Sequence, residues 1–475
     1  MWITLDHDSK ATLSRQIYRQ VKAQILTGEL RAGKKLPSSR ALAKDLSVAR
    51  NTVMEAYDQL LAEGYLVARH GSGTIVAEGI RPIQRTQHQE SNHQQKPQLP
   101  MAAAQPVISF RSGIPALDAF PAKEWGRLYQ RTCEALPPEA LRYCAPAGVR
   151  QLREAITAYL LRIRGIRVSP ERIMVTSGAT QALLLISKLL YKPDSTVVVE
   201  DPVHSGLTAV ISKAGYTVRS IRADNRGLDT SQLQRLSHQE TVSTAFAYVT
   251  PSHQYPLGGI LPVQRRQELI RFAQAAGCFI VEDDYDSEFR YEGAPVSSLY
   301  ELAPDTVIYV GSFSKIMAPA LRLGFAIIPG SMIDVWQPEK MYMDVHTDAL
   351  SQHTLAAFIN SGGLERHIWK MKKLYSHKRA HLIACLTEQF GPDYDIEGQA
   401  TGLHLVAGFP QVNFSDKLIA ALHSRGVQVT PVEKHSLLQD GTHKHKIILG
   451  YSHLSDTDIA KGVGLLRNTL QGFAN

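Results

Sequence analysis

Cysteine and long apolar runs are both scarce in this chain. Its 475 residues include four cysteines, and Cys133, Cys144, Cys278 and Cys385 have neither the spacing of a metal knuckle nor that of a redox pair. A disulfide scaffold is therefore not expected, and no metal site is predicted. No run approaches the ~18 apolar residues of a membrane helix, and residues 1–6 do not resemble a basic, apolar leader. These absences predict a cytoplasmic protein.

Length and charge distribution indicate more than one domain. With 44% hydrophobic and 20% charged residues the composition is that of a globular protein, and 475 residues exceed a single core. Residues 1–76 contain eleven Lys and Arg against seven Asp and Glu, although the whole chain carries a formal net charge of only +8. This excess favours a polyanionic partner for the first segment.

A polar stretch separates two parts of the chain. The apolar periodicity stops between residues 78 and 107, and residues 84–100 include six Gln, two His and two Pro. We therefore predict one domain at 1–77 and another at 108–475, joined by a flexible linker at 78–107. About thirty residues of flexible coil reach on the order of 30 Å, enough to place the small domain over a neighbouring subunit.

The first segment has the pattern of a small helical module. Residues 13–30 carry apolar side chains at helical spacing and predict an amphipathic helix. Residues 36–46 and 50–60 predict two shorter helices, and two short helices joined by a tight turn form a helix-turn-helix. Residues 66–76 follow as a two-stranded wing with glycines at its tip.

The start of the third predicted helix is where a DNA reader would place its specificity. Side chains at the start of a recognition helix reach base edges in the major groove. Residues 13–76 resemble a GntR-family winged helix-turn-helix, which implies a double-stranded DNA operator as partner. The positions matching the family's DNA contacts are Ser38, Arg40, Arg50, Asn51, Thr52, His70 and Gly71. Solvated surface charges and a winged helix that binds protein stay open as alternatives.

The remainder of the chain alternates helical patterns with short apolar runs. That rhythm predicts an α/β domain with a mostly parallel sheet, so the whole chain is expected to be multidomain, with an α+β winged helix-turn-helix in front. The strand-like runs are 197–199, 245–249, 278–281, 306–310 and 323–328.

Polar residues follow two of these runs. Ser312, Lys315 and Arg322 come after one predicted strand, and Asp283 and Tyr285 come at the end of another. Pyridoxal phosphate (PLP) needs an amine for a Schiff base, a carboxylate for its ring nitrogen and a cationic cup for its phosphate. A carboxylate at the end of a buried strand is costly unless it meets a cation. The sequence therefore predicts a PLP site.

A second resemblance rests on these features. Residues 108–475, with the Tyr143-x-x-Pro-x-Gly148 and Glu200-Asp-Pro202 segments, resemble fold-type I PLP proteins of the aspartate-aminotransferase type. The whole chain resembles a MocR/GabR-type transcriptional regulator. The resemblance implies a homodimer in which Lys315, the catalytic residue, holds PLP as an aldimine. It further implies Asp283 at the ring nitrogen, Tyr285 at the phenolic oxygen, and phosphate contacts from Ala179, Thr180, Gln181, Ser312 and Arg322.

Two positions depart from this pattern. His204 stands where many relatives carry a ring-stacking aromatic and offers less area. Ile448 stands where aminotransferases carry the arginine that clamps a substrate carboxylate. Simple α-amino acids are therefore expected to be poor substrates. The effector is expected to carry its acid elsewhere, to be a longer amine or dipeptide reaching Lys444, Lys446 or Arg425, or to be PLP itself.

We expect a PLP-dependent, DNA-binding transcriptional regulator that senses a small amine or amino-acid-type effector, or PLP itself. A working class I/II aminotransferase with an accessory DNA-binding domain is the alternative. A third interpretation has an empty pocket in a domain that serves only for dimerisation. The sequence leaves open the effector, the operator and target genes, activation or repression, and whether transamination turns over.

Overall fold

The protein forms two compact units, at residues 1–102 and 103–475. Within the part of the chain that the structure describes, no helix has the length and apolarity needed to cross a membrane. The computed structural model describes residues 3–69, 73–80, 107–233 and 243–473.

Three helices and a two-stranded wing make up the first unit. The first helix ends before the predicted residue 30, because the chain turns at Gly28, which has a φ of 82°. The strands of the wing pair antiparallel. The helices span Leu13–Leu26, Ser39–Asp45 and Arg50–Ala62, and the strands span Leu66–Arg69 (β1) and Gly73–Val76 (β2).

The apolar faces of these elements share one core. Ile17 and Val21 of the first helix pack with Val53 and Leu60 of the third, and all four are fully buried. The hydroxyl of Ser38 caps the second helix by accepting a hydrogen bond from a backbone N–H of its first turn at 3.2 Å. A cap of this kind stabilises a helix by about 1 kcal/mol.

An eight-stranded sheet forms the centre of the second unit, in the order β4-β11-β10-β9-β8-β5-β6-β7. The neighbours from β10 to β6 pair in parallel, whereas β11 and β7 pair antiparallel with their neighbours. The mostly parallel sheet predicted from the sequence is confirmed. Its strands are Ile173–Thr176 (β4), Thr196–Asp201 (β5), Thr217–Asp224 (β6), Gly227–Leu228 (β7), Thr244–Val249 (β8), Phe279–Asp284 (β9), Val307–Ser312 (β10) and Gly324–Ile327 (β11).

Both faces of this sheet are buried. Along β5, Val198 belongs to one apolar cluster, and Val197 and Val199 belong to the other. Side chains alternate between the faces of a strand, so a run of valines serves both layers. The helices of the unit span Ala122–Ala135, Arg150–Arg164, Ala179–Leu189, Ser205–Lys213, Val263–Ala276, Leu299–Leu302, Phe313–Ile316, Ile333–Asp344, Ala349–Asn360, Gly363–Phe390, Asp416–Ser424 and Asp456–Phe473.

A smaller antiparallel sheet, in the order β12-β13-β16-β15, lies in the last third of the chain. The start of the unit joins this region, because β3 pairs in parallel with β14. This pairing matters for the site, since the residues after β3 enter the cavity described below. The strands are Ile108–Ser109 (β3), Asp395–Glu397 (β12), His404–Gly408 (β13), Val427–Gln428 (β14), Thr430–Pro431 (β15) and Lys446–Gly450 (β16).

Candidate functional site

A cavity of about 270 Å³ lies at the carboxyl ends of the parallel strands. The segments that follow β5, β8, β9 and β10 contribute its walls, and crevices at this edge of an open α/β sheet commonly bind ligands. Of the predicted cofactor residues, those that line it are Ala179, Thr180, His204, Asp283, Tyr285, Ser312, Lys315 and Arg322.

Lys315 reaches the cavity from the short helix Phe313–Ile316, directly after β10. Its Nζ donates a hydrogen bond to the carbonyl oxygen of Gly113 at 2.6 Å. Gly113 has a φ of 74°, and a Cβ there would lie 2.8 Å from Nζ, so this position favours glycine. Burial lowers the pKa of Lys315, although Asp286 and Asp283 oppose the shift. A lowered pKa enriches the neutral amine, which is the nucleophilic form.

Two adjacent carboxylates at the end of β9 have different surroundings. Asp284 accepts a hydrogen bond from the Tyr309 hydroxyl at 2.6 Å and pairs with Arg164 at 2.7 Å. Asp283 Oδ2 accepts one from the Tyr248 hydroxyl at 2.6 Å, whereas its buried Oδ1 has no partner among the described residues. Burial raises the pKa of Asp283 to about 6. A buried carboxylate oxygen without a partner is suited to meet a cation or a donor.

Tyr285 belongs to a small buried network. Its hydroxyl lies 3.0 Å from Nδ1 of His253, and that nitrogen lies 3.0 Å from Oδ1 of Asp286. The Tyr285 and His253 rings are stacked with centroids 5.7 Å apart. Burial raises the pKa of Tyr285 well above its ordinary value. The phenol is therefore neutral at physiological pH and can donate to a ligand oxygen.

One end of the cavity is suited to an anion. The helix Ala179–Leu189 begins there after Gly178, whose φ is 119°. Because they open the helix, its first N–H groups have no partner within it and can bind an anion. The Arg322 guanidinium is close to Gly178, because a Cβ on that glycine would lie 3.1 Å from Nη2. The hydroxyls of Thr180 and Ser312 complete the lining. Amides, hydroxyls and a guanidinium together form a cradle for a phosphate.

Gln181, a predicted phosphate contact, and Tyr143, which belongs to a segment that carries the resemblance, are not among the residues that line this cavity. Gln181 accepts a hydrogen bond from the Ser177 N–H at 2.8 Å and donates one to Asp344 at 2.7 Å. Tyr143 is 86% exposed and contacts His346 edge-on at 5.9 Å. Within this chain, Gln181 therefore ties helices together, and Tyr143 has no described contact with the cavity lining.

The three candidates for binding an effector acid are also placed elsewhere. Lys446 Nζ donates to Glu397 at 2.7 Å, and Arg425 donates to the Asn468 carbonyl oxygen at 3.3 Å. Neither they nor Lys444 belongs to the cavity lining. The expectation that one of them substitutes for a carboxylate clamp finds no support in this geometry, because their side chains are held on other parts of the unit or lie at its surface.

The winged unit exposes most of its predicted DNA contacts. Arg50 begins the third helix after Ala49, with Asn51 next to it, and both are exposed, as is Arg40 on the second helix. Thr52 is half-buried. The Arg50 guanidinium donates to the Ser39 hydroxyl at 3.3 Å and has no acidic partner among the described residues. Exposed, unpaired guanidinium groups are available to phosphates and base edges.

Two members of the predicted DNA-contacting set, His70 and Gly71, lie outside the described residues. The remaining predicted members are Ser38, Arg40, Arg50, Asn51 and Thr52. Ser38 serves as the helix cap described above. No cluster of His, Cys, Asp or Glu suited to a metal ion occurs in the described ranges.

Sequence reasoning missed about half of the cavity lining. The strand-end rule used for Asp283 would also have indicated Tyr248 and Asp286, because they stand at the ends of β8 and β9. The other residues come from several separate loops, helices and strands, and their positions in the sequence do not indicate that they meet. The missed residues are Ser112, Gly113, Leu207, Tyr248, Thr250, Tyr255, Asp286, Ser314, Pro319, Leu403 and His404.

Comparison with known proteins shows the family of each domain. Residues 13–76 match the family described as bacterial regulatory proteins, gntR family, and residues 105–443 match aminotransferase class I and II. The chain is 32% identical to the probable rhizopine catabolism regulatory protein MocR of Rhizobium meliloti, over 98% of this chain and 95% of that protein. It is also 32% identical to the pyridoxine biosynthesis regulator PdxR of Corynebacterium glutamicum, over 90% of each. The chain belongs to the MocR-type transcriptional regulators, which join these two domains.

Solved structures give the same result for the fold. The multiple substrate aminotransferase of Thermococcus profundus matches with a TM-score of 0.72 and 26% identity, over 78% of this chain and 92% of its own. The kynurenine aminotransferase of Pyrococcus horikoshii, solved with PMP, matches with a TM-score of 0.72 and 26% identity, over 80% and 97%. The predicted PLP-transferase fold of the second unit is confirmed.

Proposed function

We propose that this regulator binds PLP at Lys315 and senses a small amine, an amino-acid-type effector or PLP itself, with the winged unit bound to an operator in double-stranded DNA. One observation carries the proposal. A single cavity holds an amine of lowered pKa, Lys315, and a buried carboxylate oxygen without a partner, Asp283 Oδ1. Neither group stabilises the fold, and each matches one part of PLP: the amine matches the aldehyde, and the carboxylate matches the ring nitrogen.

The lining fits PLP from end to end. When bound, PLP supplies an aldehyde that condenses with amines and a protonated ring that withdraws charge from them. Lys315 would present its amine to the aldehyde carbon, and Asp283 would hold the proton on the ring nitrogen. Tyr285 would donate to the ring oxygen and His204 would lie against the ring. The phosphate would be held by Ala179, Thr180, Ser312 and Arg322, which line the cavity, whereas Gln181 is engaged with Ser177 and Asp344.

For the first unit, we propose phosphate and base contacts from the residues that match the family's DNA-contacting positions. The +4 excess of residues 1–76 supports a polyanion as partner. Arg50 and Asn51 stand at the start of the recognition helix, where side chains reach base edges. The proposed contacts are Ser38, Arg40, Arg50, Asn51, Thr52, His70 and Gly71.

We further propose a homodimer. An exposed patch supports it: Leu141 and Tyr143 are 64% and 86% exposed, and Tyr342 on a neighbouring helix is 80% exposed. His346, four residues after Tyr342 in the chain, contacts the Tyr143 ring. Large apolar side chains exposed together indicate an interaction surface.

Three measurements on the purified protein test these proposals. An absorbance band in the near ultraviolet or visible should appear with PLP and be lost in Lys315→Ala. Operator fragments should bind in a gel-shift assay, and sedimentation should give twice the monomer mass. Sustained amino transfer from an amine to an oxo acid, at rates of a metabolic enzyme, would instead support the working aminotransferase.

A further inference from the structure

One part of the cavity wall is built from aromatic and imidazole rings around Tyr255. The Tyr255 ring centroid lies 5.3 Å from those of His204 and His404 and 5.2 Å from that of His435. Its hydroxyl lies 2.9 Å from the Ser112 hydroxyl and 3.4 Å from Nε2 of His435. Tyr255 is therefore held on several sides and presents one face to the cavity.

This wall is uncharged at neutral pH. His404 donates its Nε2–H to the Pro256 carbonyl oxygen at 3.0 Å, and burial lowers its pKa to about 3. Burial likewise lowers the pKa of His435 to about 4 and lowers that of His204. Tyr255 is neutral because burial raises its pKa. Two imidazoles, His204 and His404, and the Tyr255 phenol thus line this part of the cavity without a positive charge, and the neutral His435 ring packs against Tyr255 and His204.

An apolar cluster lies behind Tyr255. Leu257, Val406, Val432 and Ile448 pack against its ring, and all four are buried. Ile448 does not line the cavity, whereas Tyr255, which packs against this cluster, does. An anion placed against His204, Tyr255 and His404 would lose water and would meet no cationic side chain among these three residues, which is unfavourable.

The cations around Lys315 stand elsewhere. Arg322 lies beside Gly178 at the end of the cavity suited to phosphate. Arg111 is exposed and precedes the lining residues Ser112 and Gly113, but is not itself part of the lining. Its charge nevertheless acts on Tyr255, His204 and Lys315, so Arg111 is the residue to test as an alternative partner for a carboxylate.

We propose that Tyr255 determines effector specificity by closing this wall against anions, so that the effector presents an uncharged group to it. The inference rests on the proposed function, because Lys315 and PLP would receive the amino group. The chemical class that follows is a primary amine without a carboxylate beside the amino group. An α-amino acid would carry its carboxylate into the uncharged wall.

The test is a spectral titration of the PLP-loaded, full-length dimer with matched pairs. 2-Phenylethylamine is compared with L-phenylalanine, and ethanolamine with L-serine, so that each pair differs by one carboxylate. We expect each amine to bind at least tenfold more tightly than its amino acid. Equal affinities, tighter binding of the amino acids, or no binding of either amine would overturn the proposal.

Two variants assign the effect to Tyr255. In Tyr255→Ala, water enters the wall and the carboxylate keeps its hydration, so the ratio within each pair should fall below threefold. Tyr255→Phe keeps the ring and should keep a ratio of at least tenfold. An unchanged ratio in the alanine variant would contradict the role of Tyr255, and so would loss of the ratio in the phenylalanine variant.

Failure of the proposed function would look different. If the wild-type protein shows neither a PLP band nor a borohydride-reducible link, it does not bind the cofactor at a lysine. The proposed function is then refuted before any pair of ligands is compared. If the band is present and amino acids bind as tightly as amines, the Arg111→Ala variant tests whether Arg111 pairs with the carboxylate of the amino acid. Loss of amino-acid binding in that variant would identify Arg111 as the carboxylate partner and refute the closed wall.

Discussion

Replacing Asp283 by asparagine should stabilise the cofactor-free protein while weakening its hold on PLP. Burial raises the pKa of Asp283 from 3.8 to about 6. One pKa unit corresponds to about 1.36 kcal/mol, so ionisation of this buried group destabilises the folded state by about 3 kcal/mol. Asparagine keeps an oxygen that accepts the hydrogen bond from Tyr248 and removes the charge.

The gain should depend on pH in a defined direction. The folded-state pKa of Asp283 lies above the unfolded value, so the folded state binds this proton more tightly. Its contribution to stability is fully present below pH 3.8, falls as the pH rises to about 6, and stays reduced above that. Asp283→Asn should therefore match the wild type near pH 4 and exceed it by up to about 3 kcal/mol at pH 8.

Urea unfolding of the cofactor-free proteins, followed by tryptophan fluorescence, measures this difference, because Trp336 is fully buried in the same unit. Asp284→Asn is the matched control. It leaves the buried Arg164 without its ionic partner and should lose roughly 3 kcal/mol. PLP titration of Asp283→Asn should show at least tenfold weaker binding. The reasoning is refuted if this variant is no more stable than wild type at pH 8 or binds PLP equally well.

Three further predictions concern the amine, its neighbour and the DNA reader. Lys315→Ala should abolish the borohydride-reducible PLP link and leave the oligomer mass unchanged; a link that persists assigns another lysine. Gly113→Ala should strain a φ of 74° by about 1–2 kcal/mol and displace Lys315 Nζ, so that PLP incorporation falls; normal incorporation would show that the contact is dispensable. Arg50→Ala should weaken operator binding by about 1–3 kcal/mol and relax specificity at one base per half-site. Operator binding by the wild-type protein should weaken steeply as the salt concentration rises; a flat salt dependence would contradict phosphate contacts.

Most of the fold could be predicted because its signals are local. The valine run of β5 and the apolar runs of β8, β9 and β10 identify buried strands by composition alone. The helix-turn-helix is likewise visible in spacing and in the Ser38 cap. The small antiparallel sheet was not predicted, since its strands are short and pair across long separations in the chain, as Asp395 does with Gly408.

The residues of the site likewise divide into those with a local signal in the sequence and those without one. Asp283 and Lys315 were found because Asp283 lies at the end of β9 and Lys315 lies just after β10, and parallel strands bring their carboxyl ends together. Gly113 and Tyr255 were missed because they enter the cavity through the pairing of β3 with β14 and through a loop. The effect of Ile448 could be predicted only in part. Its replacement of a cation is visible in the sequence, but the tyrosine that covers it is visible only in the fold.

Effector binding and operator binding should be reciprocally coupled, whatever the arrangement of the two units. If an effector bound near Lys315 changes operator affinity by some factor, operator DNA must change effector affinity by the same factor, because the coupling free energy is reciprocal. Effector titrations of the PLP-loaded protein, with and without saturating operator, should therefore give dissociation constants whose ratio equals that of operator binding with and without effector. Couplings of this kind usually lie between about fivefold and 150-fold. An effector that binds with identical affinity in both titrations would show that the cavity does not report to the DNA, and would favour the working aminotransferase.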